Sequence, residues 1–308
     1  MTECERIIKS GRFSTEFLKP ETSCDFFIDE KRKKLWMIEL DLLMEFDSVC
    51  RKYNLKYFLI GGSLLGAVRH KGIIPWDDDI DVGMLREDYE RFLKIGKKEF
   101  QAPYFFQTPY TDDGYGFSFV KIRNSNTTGI SSAFRYEKFN QGIFLDVFPF
   151  DNATKEDMYE RFEKINVLNM ENSTFMRLSN PNPSVLEKER IERHSGQHPI
   201  QVYEQIRKIA RQHEQEQTED ISLAVFTMIR PEKMIFKKRW FDELIYVPFE
   251  TLNVPIPKNY HEVLTIAFGD YMQFPPIEQR GTWHSSCVFD PDVEYKIYLN
   301  KYWEDIKK

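Results

Sequence analysis

Tyr57-Phe58-Leu59-Ile60-Gly61-Gly62-Ser63-Leu64-Leu65-Gly66-Ala67-Val68-Arg69 and, just downstream, Pro75-Trp76-Asp77-Asp78-Asp79-Ile80-Asp81-Val82-Gly83 are the stretch on which the reading of this chain turns. The apolar run 57–60 reads as a short buried strand, the two glycines as a tight turn, and the residues from Ser63 onward as a helix start. Glycine leaves backbone N–H groups unshielded, and a helix N-terminus favours negative charge, so Gly61, Gly62 and Ser63 are candidates to hold a phosphate. Pro75 interrupts the chain, after which Asp79-Ile80-Asp81-Val82 alternates acid and apolar with the period of a strand. On that reading Asp79 and Asp81 share one face, about 6.5–7 Å apart. Carboxylates so placed can hold one divalent cation or two neighbouring ones. A phosphate-holding turn ahead of a metal-holding strand points to chemistry on a nucleoside diphosphate ester.

Working outward, Leu35, Ile38, Leu42, Leu43, Phe46, Val49, Cys50 and Tyr53 recur every three or four positions and predict an amphipathic helix leading into the motif. A helix is expected over 86–100, then strands over 104–108, 117–123 and 142–148, the last carrying one acid, Asp146, among apolar residues. Asp146 is therefore the candidate third carboxylate, as a cation ligand or as a base. Three regions follow: an N-terminal arm (1–28) without clear period, a core (29–150), and a mainly helical, loop-rich remainder (151–308). In the last, Thr154-Lys155-Glu156-Asp157 suggests a capping box and 186–220 reads as a polar insertion, solvated or mobile. His194 with His198, and His284 with Cys287, are too sparse for zinc sites and read as ordinary hydrogen-bonded or surface residues.

The chain has 308 residues, 41% of them hydrophobic, which is enough for a substantial core. Its 49 acidic against 43 basic residues give a net charge of −6, removing the positive field on which nucleic-acid binders rely. Cys4, Cys24, Cys50 and Cys287 show no metal-site or disulfide spacing. No apolar leader opens the sequence and no run approaches about 20 apolar residues, so the expectation is a cytoplasmic protein with at most peripheral membrane contact.

The stretch 57–83, nearly without interruption, resembles the signature of the LicD family. Gly142-Ile143-Phe144-Leu145-Asp146-Val147-Phe148-Pro149 resembles that family's next acidic strand, and Phe268-Gly269-Asp270-Tyr271-Met272 with Pro275-Pro276 and His284 resembles its C-terminal part. The family includes bacterial phosphocholine transferases and relatives of fukutin. The resemblance implies an α+β protein with a nucleotidyltransferase-like small mixed β-sheet flanked by helices. It also implies transfer of a phospho-alcohol, phosphocholine or similar, from a CDP-activated donor to a sugar of a cell-surface glycan or glycolipid precursor such as lipopolysaccharide or teichoic acid. Carried over, Gly62 and Ser63 would contact the donor phosphates, Asp79 and Asp81 would hold Mg²⁺ (or Mn²⁺) with Asp77 as a further ligand, and Asp146 would be the third carboxylate. Arg69 is a candidate to neutralise phosphate, and Trp76 reads as packing. The alternative within the same fold is attachment of a nucleotide such as AMP to a small molecule or protein. A calcium loop on Asp77, Asp79 and Asp81 would need glycine where Val82 stands.

Overall fold

The computed structural model describes residues 1–193, 198–282, 284 and 287–306. His194 of the first histidine pair lies outside the described residues. Helix α1 (Glu3–Lys9) opens the chain, followed by a hairpin of β1 (Glu21–Ser23) and β2 (Phe26–Ile28) and by the long α2 (Glu30–Tyr53). Next come β3 (Phe58–Leu59), α3 (Gly61–Arg69), β4 (Asp81–Leu85), α4 (Arg86–Glu99), β5 (Tyr104–Gln107), β6 (Val120–Asn124), β7 (Thr128–Ser131) and β8 (Ile143–Ala153). The C-terminal half holds α5 (Met158–Phe175), α6 (Val185–Arg193), α7 (Pro199–Ala210), β9 (Asp220–Ser222), β10 (Ile235–Lys237), the hairpin β11 (Leu244–Phe249) and β12 (Leu252–Pro257), α8 (Tyr260–Phe268), β13 (Cys287–Asp290) and α9 (Tyr295–Ile306). The architecture is α+β, as expected, and the C-terminal half brings strands as well as helices.

Among the described residues, seven strands form the mixed central sheet, built around β8. On one edge β8 pairs in parallel with β4, which pairs antiparallel with β3. On the other edge its first half pairs with β6 and its last three residues with β9, both antiparallel. Pro149, just beyond the strand expected over 142–148, lies inside it. It falls between the two partners, after Val147 pairs with β6 and before Asp151 pairs with β9, where its missing N–H breaks no bond on that edge.

The alternation of β6 and β8 gives the sheet two unlike faces. Val120, Ile122, Ile143, Leu145 and Val147 are fully buried, and α2 and α4 pack on these strands. The intervening Lys121, Arg123, Phe144, Asp146 and Phe148 line a cavity instead. Helix α4 is fastened to β8 by Arg86, whose Nε and Nη2 donate to the two carboxylate oxygens of Asp151 at 2.7 and 2.8 Å in the protein interior.

Residues 1–28, expected as a loose arm, are packed instead. Cys4, Ile7, Phe13 and Ile28 belong to the same hydrophobic core as α2, and Arg6 and Arg12 both donate to the buried Asp41 of α2. In the polar stretch 186–220, expected as a solvated helix or mobile insertion, α6 is a largely exposed helix, while α7 is packed. Val202, Ile206 and Ala210 recur every fourth residue, are fully buried, and seat α7 against α5. The Thr154 box does not cap α5: its hydroxyl donates to the Asp157 carboxylate, and Asp157 caps no backbone N–H. No helix among the described residues is long and apolar enough to cross a membrane.

Removing one partner of a buried bidentate pair strands a charge, so Arg86→Met should cost about 3–5 kcal/mol in urea unfolding. The double variant Arg86→Met/Asp151→Leu should recover most of that loss.

Candidate active site

A cavity of about 970 Å³ opens on the free face of the sheet. Asp77, Asp79, Asp81 and Asp146 all line it, together with Gly62 and Arg69. The parallel register places Asp81 directly opposite Asp146 on β8, so these two carboxylates emerge side by side. β4 begins only at Asp81; Asp79 lies in the irregular lead-in and not, as expected, on the strand. The lead-in is nevertheless held. The Asp77 carbonyl accepts from Arg32 Nη1 at 2.7 Å and from Trp36 Nε1 at 3.2 Å, both on α2, and Asp146 N–H donates to the Ile80 carbonyl.

Gly61 and Gly62 are already the first residues of α3, so the glycine turn and the helix N-terminus are one feature. Ile60 precedes them and supplies no side-chain cap. Gly61 has φ +52°, a conformation natural to glycine, and a Cβ at Gly62 would lie 2.7 Å from Asp77 Oδ2. The glycines thus let Asp77 and Asp81 approach the helix end. Ser63 has a different place from the expected phosphate contact: it is buried, and its Oγ accepts from Asp81 N–H at 2.8 Å, fixing the start of β4. Arg69 donates from Nη1 to the carbonyls of Tyr271 and Gln273 and stacks on Phe274, bracing the cavity wall. Trp76 packs edge-on against Phe26 and Phe274 and also lines the cavity.

Asp78, Lys121 and Arg123 of the site were not singled out from the sequence, and His284, read there as an ordinary hydrogen-bonded or surface residue, lines the cavity and bonds Asp78. Lys121 on β6 donates to both oxygens of Asp146, at 2.6 and 2.7 Å. Arg123, two positions on and on the same face, is bonded to Gln107 and to the Gly142 carbonyl. His284 Nδ1 lies 3.2 Å from Asp78 Oδ1 and 3.8 Å from Asp79 Oδ2, so Asp78, Asp79 and His284 present atoms within 4.8 Å of one another. The signal for His284 was its place in the family-like C-terminal segment. Nothing in the local pattern marked Lys121, because only its pairing with β8 brings it to Asp146.

Burial and mutual repulsion act together on the acids. Loss of solvent and then the charge of Asp78 push Asp77 up to about 6. Asp79 rises well above the carboxylate range through burial and then Asp77, and Asp81 through burial and then Asp79 and Asp146. Glu39, fully buried on α2, rises through burial and the charges of Asp79, Asp78 and Asp77. Burial pulls His284 down, but the bond to Asp78 and the charge of Asp79 leave it above its usual value. Oxygen donors that repel one another this strongly suit a hard divalent cation, which would relieve the repulsion.

A small mixed sheet carrying paired acids beside a glycine-started helix defines a nucleotidyltransferase-type domain, and residues 54–185 match the domain described as LicD/FKTN/FKRP nucleotidyltransferase. That match covers 132 of the 308 residues, the segment that carries the paired acids and the glycine-started helix. The chain is 29% identical over 254 residues to the lipopolysaccharide cholinephosphotransferase LicD of Haemophilus influenzae, spanning 80% of this chain and 94% of that protein. It is also 62% identical over 35 residues to the ribitol 5-phosphate transferase FKRP of Mus musculus and of Homo sapiens, 11% of this chain and 7% of those proteins.

In the absence of divalent ions, folded Asp77 holds its proton more tightly than the unfolded chain, where aspartate titrates near about 3.9. Its contribution therefore opposes folding increasingly as pH rises from about 4 to about 6, and is level above that. In EDTA, the melting temperature of Asp77→Asn relative to wild type should climb across this window and then plateau. A flat difference would contradict the strained carboxylate.

Proposed function

We propose that the protein transfers a phospho-alcohol from a CDP-activated donor to a sugar hydroxyl of a glycan or glycolipid precursor, with Mg²⁺ as cofactor. The observation that carries this reading is the meeting of the uncapped N-terminus of α3 with Asp77, Asp79, Asp81 and Asp146 in one cavity. The names of the relatives, a choline phosphate transferase and a ribitol phosphate transferase, support the group transferred.

Asp77, Asp79 and Asp81 would hold the cation, with Mn²⁺ as a substitute. Bound there, it would neutralise diphosphate charge and favour departure of CMP. The uncapped first turn of α3, with Gly62 on the cavity wall, would hold phosphate oxygens. The acceptor hydroxyl attacks the distal phosphorus: an O–P bond forms, the bond from that phosphorus to the bridging oxygen breaks, and its electron pair leaves with CMP. The hydroxyl proton passes to His284, whose Nδ1 is oriented by Asp78. Asp146 suits that task less well, because both of its oxygens already accept from Lys121. The rest of the cavity offers room for the donor and acceptor, with Asn166, Asn169 and Ser173 of α5 on its far wall. The reading places the reaction in the cytoplasm, the compartment that the widely spaced cysteines also suit.

With Mg²⁺, CMP release from CDP-choline or CDP-ribitol in the presence of a saccharide acceptor is expected. Pyrophosphate release from ATP, without CMP from either donor, would favour nucleotide attachment instead. Asp79→Asn and Asp81→Asn should each lower turnover at least about 10²–10³-fold, the scale of losing one electrostatic stabiliser, with an unchanged circular dichroism spectrum. Normal turnover by either variant would refute the assignment.

A further inference from the structure

The acids of the cavity wall are not all equally free. Asp81 and Asp146 stand opposite each other on β4 and β8, an arrangement that by itself could hold a second divalent ion next to the first. The Lys121 ammonium already occupies Asp146, with a hydrogen bond to each oxygen. Its side chain is only 7% exposed, and the Phe144 ring lies 3.5 Å from Nζ, with Phe119 at 5.3 Å. The other carboxylate acting on this ammonium is Asp81, which an ion bridging the two strands would itself take up. Arg123 is committed to Gln107 and Gly142 and cannot take its place on Asp146. A divalent ion bridging Asp81 and Asp146 would therefore have to sit against a buried like charge, or displace it into an aromatic wall without a counter-ion.

We infer that Lys121 supplies the second positive charge of this site, so that the acidic cluster takes one divalent cation, on Asp77, Asp79 and Asp81, and not two. The inference rests on the proposed reading of the cluster as a cation site. It makes Lys121 a positioning residue: it neutralises Asp146 and keeps that carboxylate out of the cation's ligand set.

The count of bound Mn²⁺ decides this without any turnover measurement. Titration of the purified full chain, with free Mn²⁺ followed by electron paramagnetic resonance, should give one ion per wild-type chain. Lys121→Met, which leaves Asp81 and Asp146 uncompensated, should bind two, whereas Lys121→Arg, which keeps the charge, should stay at one. Two ions in the wild type, or a single ion in a folded Lys121→Met, would overturn the inference while leaving the transfer reading intact. If Lys121→Met does not fold, the wild-type and Lys121→Arg counts decide. No bound Mn²⁺ in the wild type would sink the cation site itself, and with it this inference. One ion without CMP release from any CDP-alcohol would instead overturn the transfer reading alone.

Discussion

The constraint on which this molecule is built is the crowding of like charge. Asp77, Asp79, Asp81 and Asp146 line one cavity, and in that poorly solvated place burial and neighbouring acids make Asp79 and Asp81 costly to ionise. The surrounding structure offsets this in distinct ways. Asp77 and Asp81 lie close to the uncapped N-terminus of α3, where Gly62 leaves room that a Cβ would take from Asp77. Lys121 pairs with Asp146, and α2 clamps the irregular lead-in by the Asp77 carbonyl. What repulsion remains is a preference for a cation.

The two-faced sheet makes this arrangement tolerable. Because side chains alternate along β6 and β8, one set of residues is buried under α2 and α4 while the other carries the charged groups. The helices on the packed side hold the strands in register, and the register sets which acid stands beside which base. The cavity is then closed by segments distant in the chain: His284 reaches Asp78 across 206 positions, and Arg69 ties α3 to the carbonyls of Tyr271 and Gln273.

Much of the local structure was legible. The 3.6-residue period marked α2 and α4, and short apolar runs marked β3 and β8, because burial on one side imposes these spacings directly. The misreadings share a cause. Residues 1–28 show no clear period and 186–220 carries few apolar groups, yet Ile7 and Ile206 are fully buried on α1 and α7, since a helix needs only a narrow stripe to pack. The strand expected over 142–148 runs on through Pro149 to Ala153, because its pairing passes from β6 to β9 at that point.

The sequence alone determined that the acids come close, since Asp77, Asp79 and Asp81 fall within five positions behind a glycine-started helix, and chain connectivity permits little else. It also determined the period-two exposure that turns Asp146 away from its apolar neighbours. Only the tertiary structure decided the partners. That Asp146 meets Lys121, that Ser63 serves the Asp81 backbone, and that His284 joins Asp78 are consequences of strand register and loop closure. Those are fixed by packing over the whole core, and no local spacing encodes them.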